Sequence, residues 1–154
     1  LFIPSLFREN RYSFTFACLG TLFMFPACIF FVGVALTPGD IFFDAHIFTT
    51  TTAFNLYTVS IFFYVLAFIS SSLSNYYTSG AILLLIAVSV YSYYLSGYQP
   101  IDAIKDRELY LEVYTMDLLI FNVVLQKVII SLMIITIITF SFGLNKLINK
   151  KETR

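Results

Sequence analysis

Between Ile47 and Ile101 the chain carries no Asp, Glu, Lys or Arg. That run is long enough for two helices of about 20 apolar residues each, the length that crosses a hydrocarbon core of about 30 Å. Inside such a core every backbone polar group must be bonded within the protein, and continuous apolar runs, unlike alternating ones, meet that demand as helices. Composition points the same way. Of 154 residues 12% are charged and 59% hydrophobic, about half the charge with which a soluble domain covers its surface. The expected fold is an all-α integral membrane helical bundle. It forms one domain over residues 1–154, with four spans at about 12–36, 47–73, 79–96 and 117–144. The segment Ser70–Gly80, rich in Ser with Asn75 and Gly80, reads as a turn that makes spans two and three a helical hairpin.

Lys and Arg are retained on the cytoplasmic side of a membrane. Arg8 and Arg11 precede the first span, and Lys146, Lys150, Lys151 and Arg154 follow the last. The loop after the first span has neither Lys nor Arg, and in the loop after the third Lys105 and Arg107 are outnumbered by Asp102, Asp106, Glu108 and Glu112. Both ends of this segment are therefore expected in the cytoplasm, with the plasma membrane the expected location. Tyr76, Tyr77, Tyr91, Tyr93, Tyr94, Tyr98, Tyr110 and Tyr114 bracket the third span and its following loop as an interfacial belt would. Pro26 is expected to kink the first span. Ala67 with Ser71 and Ser92 with Ser96 are small residues at helical spacing, suited to close contact between helices. Gln99–Pro100 marks a break, after which Ile101–Thr115 reads as an interfacial helix or an extension of the fourth span.

Several function classes are disfavoured. The net charge is zero and no basic block is long enough for a nucleic-acid footprint. No glycine-rich phosphate loop occurs, so a nucleotide partner is not expected. One His and two Cys are too few for an intramembrane zinc site or a bis-His haem, and no metal or cofactor is expected. Cys18 and Cys28, ten residues apart in one span, are about 15 Å apart along a helix and beyond disulfide reach; they read as packing residues. No Ser has the setting of an exposed catalytic nucleophile.

Two polar constellations remain. Thr37–Pro38–Gly39–Asp40, followed by Asp44 and His46, stands at the outer junction of the first two spans. Two carboxylates and an imidazole this close suit acid–base work or a cation, but the preferred reading is a turn whose Asp40 or Asp44 caps the second helix. The second constellation is Asn122, Gln126 and Lys127 in the last span. Asn122 and Gln126 share a helix face, and Lys127, set inside the apolar run, calls for a cavity, a partner or a snorkelling path to a headgroup. With Asn55 pointing down the second span from the outer end, these residues define a candidate polar pocket in the outer leaflet: Asp40, Asp44, His46, Asn55, Asn122, Gln126 and Lys127.

The run Val32–Asp40, then Asp44–Ala45–His46 entering an aromatic helix, then Gln126–Lys127 in a last span, resembles a group of small prokaryotic polytopic membrane proteins of unknown function. That group is similar to the DRAM, Sfk and FGF-receptor-activating-protein superfamily. The resemblance covers about Ser13 to Ile135 and falls on Pro38, Asp40, His46, Gln126 and Lys127. It implies a six-helix protein of which this chain holds the last four helices, in keeping with a first residue that is Leu, and a setting in lipid remodelling without a shared reaction.

Three functional readings follow. The leading one is a protein, more binding module than enzyme, that binds or organises membrane lipid through the polar pocket. The second is a subunit of a larger membrane complex in which Lys127 meets a carboxylate of a membrane-protein partner. The third is an intramembrane lipid-modifying enzyme using His46 with Asp40 or Asp44. An outward-facing Lys127 on an apolar surface favours the second; an internal partner or hydrated pocket favours the others.

Overall fold

The structure is a computed structural model that describes residues 2–8, 10–71, 75–97, 108–109, 112 and 116–152. Among them run a short helix α1 (Phe2–Ser5) and four long ones: α2 (Arg11–Leu36), α3 (Phe43–Ile69), α4 (Asn75–Gly97) and α5 (Met116–Glu152). All four long helices contain an apolar segment of 20 to 27 residues, long enough to cross a membrane. The four expected spans are present. Gln99–Pro100, most of Ile101–Thr115, Lys105, Arg107, Tyr98, Tyr110, Tyr114 and Arg154 lie outside the described residues.

Helix limits differ from expectation at both ends of α3. It starts at Phe43 rather than near Ile47, because the turn at Pro38 delivers the chain directly into it. The Pro38 carbonyl accepts from Ile41 and Phe42 N–H, and the Phe42 carbonyl accepts from His46 N–H. Phe42 holds the N-cap position and makes no cap bond with its own side chain. Asp44 sits in the first turn, where its carboxylate complements the positive end of the helix dipole. At the other end α3 stops at Ile69, and Asn75–Gly80, expected in the turn, is the first part of α4. α2 runs without interruption through Pro26.

A single side chain ties the two helix ends together. Asn10 caps α2 by accepting from the backbone N–H of Tyr12 (2.9 Å) and Ser13 (3.5 Å), while its amide nitrogen donates to the Ser70 carbonyl at the end of α3 (2.5 Å). It thereby satisfies orphan groups of both helices.

Packing follows chain order, α2 on α3, α3 on α4 and α4 on α5. α3 is the central helix: half of its apolar segment is buried, against 6% of that of α5. The α2–α3 contact is built from small residues. α2 buries Ser13, Ala17, Gly20 and Ala27, which let the helix axes come close. A Cβ on Gly20 would lie 3.0 Å from the Tyr64 ring. Most polar groups in this seam find partners: Ser60 Oγ donates to the Gly20 carbonyl (2.7 Å), and Thr21 Oγ1 and Tyr64 OH share a bond of 2.8 Å, while Ser13 Oγ is buried with no partner among the described residues. Between α3 and α4, Thr58 and Ser92 hydroxyls are 2.8 Å apart, so Ser92 sits at a helix contact as its spacing predicts. Aromatic rings fill the remainder, with Phe54 edge-on to Tyr91 (4.5 Å) and Phe68 stacked on Phe140 (4.7 Å).

α4 turns one face inward through Ala81, Leu84, Val88, Tyr91 and Leu95, all buried. Tyr91 is therefore a core residue, whereas Tyr76 and Tyr93 are exposed as belt residues would be. α5 lies along α4 and leaves a cleft toward α2, lined by Phe31 and Val34 on one side and Ile130 and Met133 on the other. Its 37 residues extend about 55 Å, well past a 30 Å core.

Candidate functional site

The site lies at the end of the bundle where α2 turns into α3. Gly33 allows α2 to approach α3 there, since a Cβ on it would lie 3.0 Å from Thr49 Cγ2. Thr37 ends α2, donating its hydroxyl to the Gly33 carbonyl (2.8 Å) with Thr49 Oγ1 3.3 Å away. His46 Nδ1 lies 2.6 Å from the Thr37 carbonyl. A carbonyl can only accept, so Nδ1 carries the proton and a neutral ring keeps Nε2 as an acceptor. The Cδ2 edge of the ring lies against Gly39, where an added Cβ would be at 3.4 Å. His46 thus closes the end of α2 and is fixed in one tautomer by doing so.

Behind the ring is a cavity of about 170 Å³ whose polar lining comes from three helices: His46, Thr50 and Thr51 of α3, Tyr91 of α4, and Asn122 and Gln126 of α5. Gln126 is held by donating to Tyr91 OH (2.5 Å). Three other lining groups have no partner among the described residues. Thr50 Oγ1, Thr51 Oγ1 and Asn122 Oδ1 are buried without a hydrogen bond to any of them, and Thr50 is only 7% exposed as a residue. An unpaired buried polar atom costs on the order of 1–3 kcal/mol, so three around one void form a site suited to a polar occupant.

The cavity adjoins the cleft between α2 and α5, about 290 Å³, which shares His46, Thr50 and Gln126 with it as walls and is otherwise lined by apolar residues such as Phe31, Phe54 and Ile130. A polar chamber and an apolar cleft thus lie side by side at the same depth.

Of the seven residues expected in the pocket, His46, Asn122 and Gln126 line it. Asp40 and Asp44 are exposed beside it, and Asn55, one turn beyond Thr51 on α3, is exposed and outside the lining. Lys127 is exposed on the outer flank of α5, among exposed Val123, Val124, Ile130 and Ile134. It has no side-chain bond or ion pair among the described residues. Its depth follows from the contacts of its neighbours. Gln126 meets Tyr91, only six residues before the end of α4, while Phe140 meets Phe68 at the end of α3. Lys127 therefore belongs to the leaflet of the His46 end, about 10 Å below the end of α4 at 1.5 Å per residue.

Sequence reasoning missed Tyr91, whose place in the buried series 81, 84, 88, 91, 95 was readable as an inward stripe. The Thr49–Thr52 run divides between two tasks that spacing does not separate: Thr49 closes the α2 end, and Thr50 and Thr51 line the cavity. Among the described residues no three His, Cys, Asp or Glu side chains gather where they could hold a metal ion.

Four long apolar helices with a polar chamber between them define a polytopic integral membrane protein. No protein-family model, curated protein or solved structure matches the chain.

Proposed function

We propose that the protein binds a membrane lipid, with the polar headgroup in the His46–Thr50–Asn122 chamber and the chain in the α2–α5 cleft. The observation that carries this reading is the set of three unpartnered polar atoms on a void that shares its walls with an apolar cleft. An amphiphile satisfies both parts, whereas water satisfies only the first. Among the described residues the lining holds no carboxylate and no amine, so the head is bound by hydrogen bonds, with Thr hydroxyls able to donate or accept and His46 Nε2 and Asn122 Oδ1 accepting. Binding rather than catalysis is favoured because Asp40 and Asp44 do not line the chamber with His46, which leaves no assembled acid–base pair among the described residues. By the distribution of Lys and Arg, both ends of this segment are cytoplasmic and the chamber faces the outer leaflet of the plasma membrane. The likeness to the DRAM and Sfk superfamily supports a lipid setting and no specific reaction.

The test is native mass spectrometry of protein extracted from its membrane in mild detergent. The wild-type chain is expected to retain one lipid. A Thr50→Val/Thr51→Val/Asn122→Leu variant should retain about twentyfold less, taking roughly 0.6 kcal/mol for each membrane hydrogen bond removed. Equal retention by folded variant and wild type would sink the proposal.

A second reading is favoured by Lys127 alone. A cation on an exposed apolar helix face is suited to a partner helix bearing a carboxylate. Lys127→Gln should then shrink the assembly seen by size exclusion in mild detergent; an unchanged size argues against a partner and leaves snorkelling to a headgroup.

A further inference from the structure

A third cavity, about 290 Å³ and almost wholly apolar, lies deeper in the bundle among α1 to α5. It shares Met133 with the α2–α5 cleft and ends at Phe68, Phe140 and Ile3 near the opposite face. The three voids thus form a chain through shared walls, polar at the His46 end and apolar for the remainder. From Gln126 to Phe140 this tract measures about 21 Å along α5. One leaflet of the hydrocarbon core is about 15 Å deep, half the usual 30 Å. The tract therefore takes the full acyl chain of a bilayer lipid from headgroup to methyl end, with the stacked Phe68 and Phe140 rings as its floor.

We infer that the bundle is an acyl-chain ruler: a lipid headgroup anchored in the chamber sends one chain through the cleft and into the deep cavity, and the tract length selects long chains over short ones. This rests on the lipid-binding reading and adds what that reading does not require, since a headgroup could be held while its chains stay in the surrounding bilayer. The sparse packing of α5 is the structural counterpart. With 6% of its apolar segment buried, α5 leaves the space a chain occupies, and Met133 is a flexible side chain that can move aside at the passage between the two voids.

The test shortens the tract without touching the chamber. Ala81 is 3% exposed on α4 and lines the deep cavity, and Thr136 lines it from α5. Ala81→Leu and Thr136→Leu each place side-chain carbons in empty space, and thermal unfolding of each lipid-free variant shows that it folds. Wild type and variants are reconstituted in vesicles of phosphatidylethanolamine and phosphatidylglycerol containing equal amounts of short-chain and long-chain species. They are then re-extracted, and the retained lipids are weighed by mass spectrometry. The expected result is a long-chain preference in the wild type that falls about tenfold in both variants, the preference that roughly two buried methylenes supply, with total retention unchanged. Retention of lipid with the same chain distribution in wild type and both variants overturns the ruler and leaves the headgroup site standing. A wild-type chain that retains no lipid overturns both.

Discussion

The α2–α3 seam and the α5 side of the bundle use the same side chains to opposite ends. In the seam, Ser60 and Tyr64 are buried, Thr21 is half-buried, and each has a partner, so polar groups act as fasteners between closely approaching helices. On the α5 side, Thr50, Thr51 and Asn122 each bury a polar atom with no partner among the described residues, and the helices stand apart around a void. Polarity inside a membrane protein thus reads as structural or functional only after its hydrogen bonds are accounted for. The seam is mostly satisfied, with Ser13 Oγ its one unpartnered buried hydroxyl among the described residues; the α5 side gathers three such atoms around one void and is the side on which a ligand lowers the free energy.

Mutations separate the two regions by sign as well as size. The largest effect is expected for Gly20→Leu, which drives a side chain into the Tyr64 ring and displaces the Ser60 bond, costing about 3 kcal/mol or more. Thermal or denaturant unfolding in detergent measures it, and a loss below 1 kcal/mol would mean that the seam is not close-packed. Next is Thr50→Val, which removes an unpartnered hydroxyl at nearly constant shape. In lipid-free protein it is expected to stabilise by about 1–2 kcal/mol, and a destabilisation would show that the hydroxyl is satisfied and break the contrast. Tyr64→Phe leaves the ring and removes the bond to Thr21, for a loss of about 1 kcal/mol within the membrane range of roughly 0.6 to 1.7. The smallest is Ser60→Ala, about 0.6 kcal/mol by the same scale. If the seam substitutions stabilise while Thr50→Val destabilises, the assignment of the two regions is reversed.

Much of this contrast was outside the reach of the sequence. That α2 presents Ser13, Ala17 and Gly20 to a neighbour follows from their spacing on one helix face. Which neighbour receives them follows only from the Tyr64 ring lying over Gly20. His46 was legible as a polar residue at a helix start, but its bond to Thr37 depends on the backbone turn at Pro38, which spacing does not describe. Gln126 was legible as an inward polar group, and its partner Tyr91 was misread as a belt residue because eight tyrosines cluster near one interface and composition does not distinguish their faces. Lys127 shows the limit most plainly. One residue from Gln126, it lies about 100° round the helix, and that rotation puts it on the outer flank while Gln126 lines the chamber.

The sequence by itself determined that this protein is a bundle of four membrane-crossing helices, because hydrocarbon tolerates no unbonded backbone and long uncharged apolar runs leave the helix as the available form. The approximate span limits and the polar character of the His46 end came with it. The tertiary structure decided which polar groups meet. Hydrogen bonds and voids depend on helix rotation and depth to within a few ångströms, and lipid and protein interiors are alike apolar to a sequence, so only the packed helices separate Gln126 in the chamber from Lys127 on the outer face.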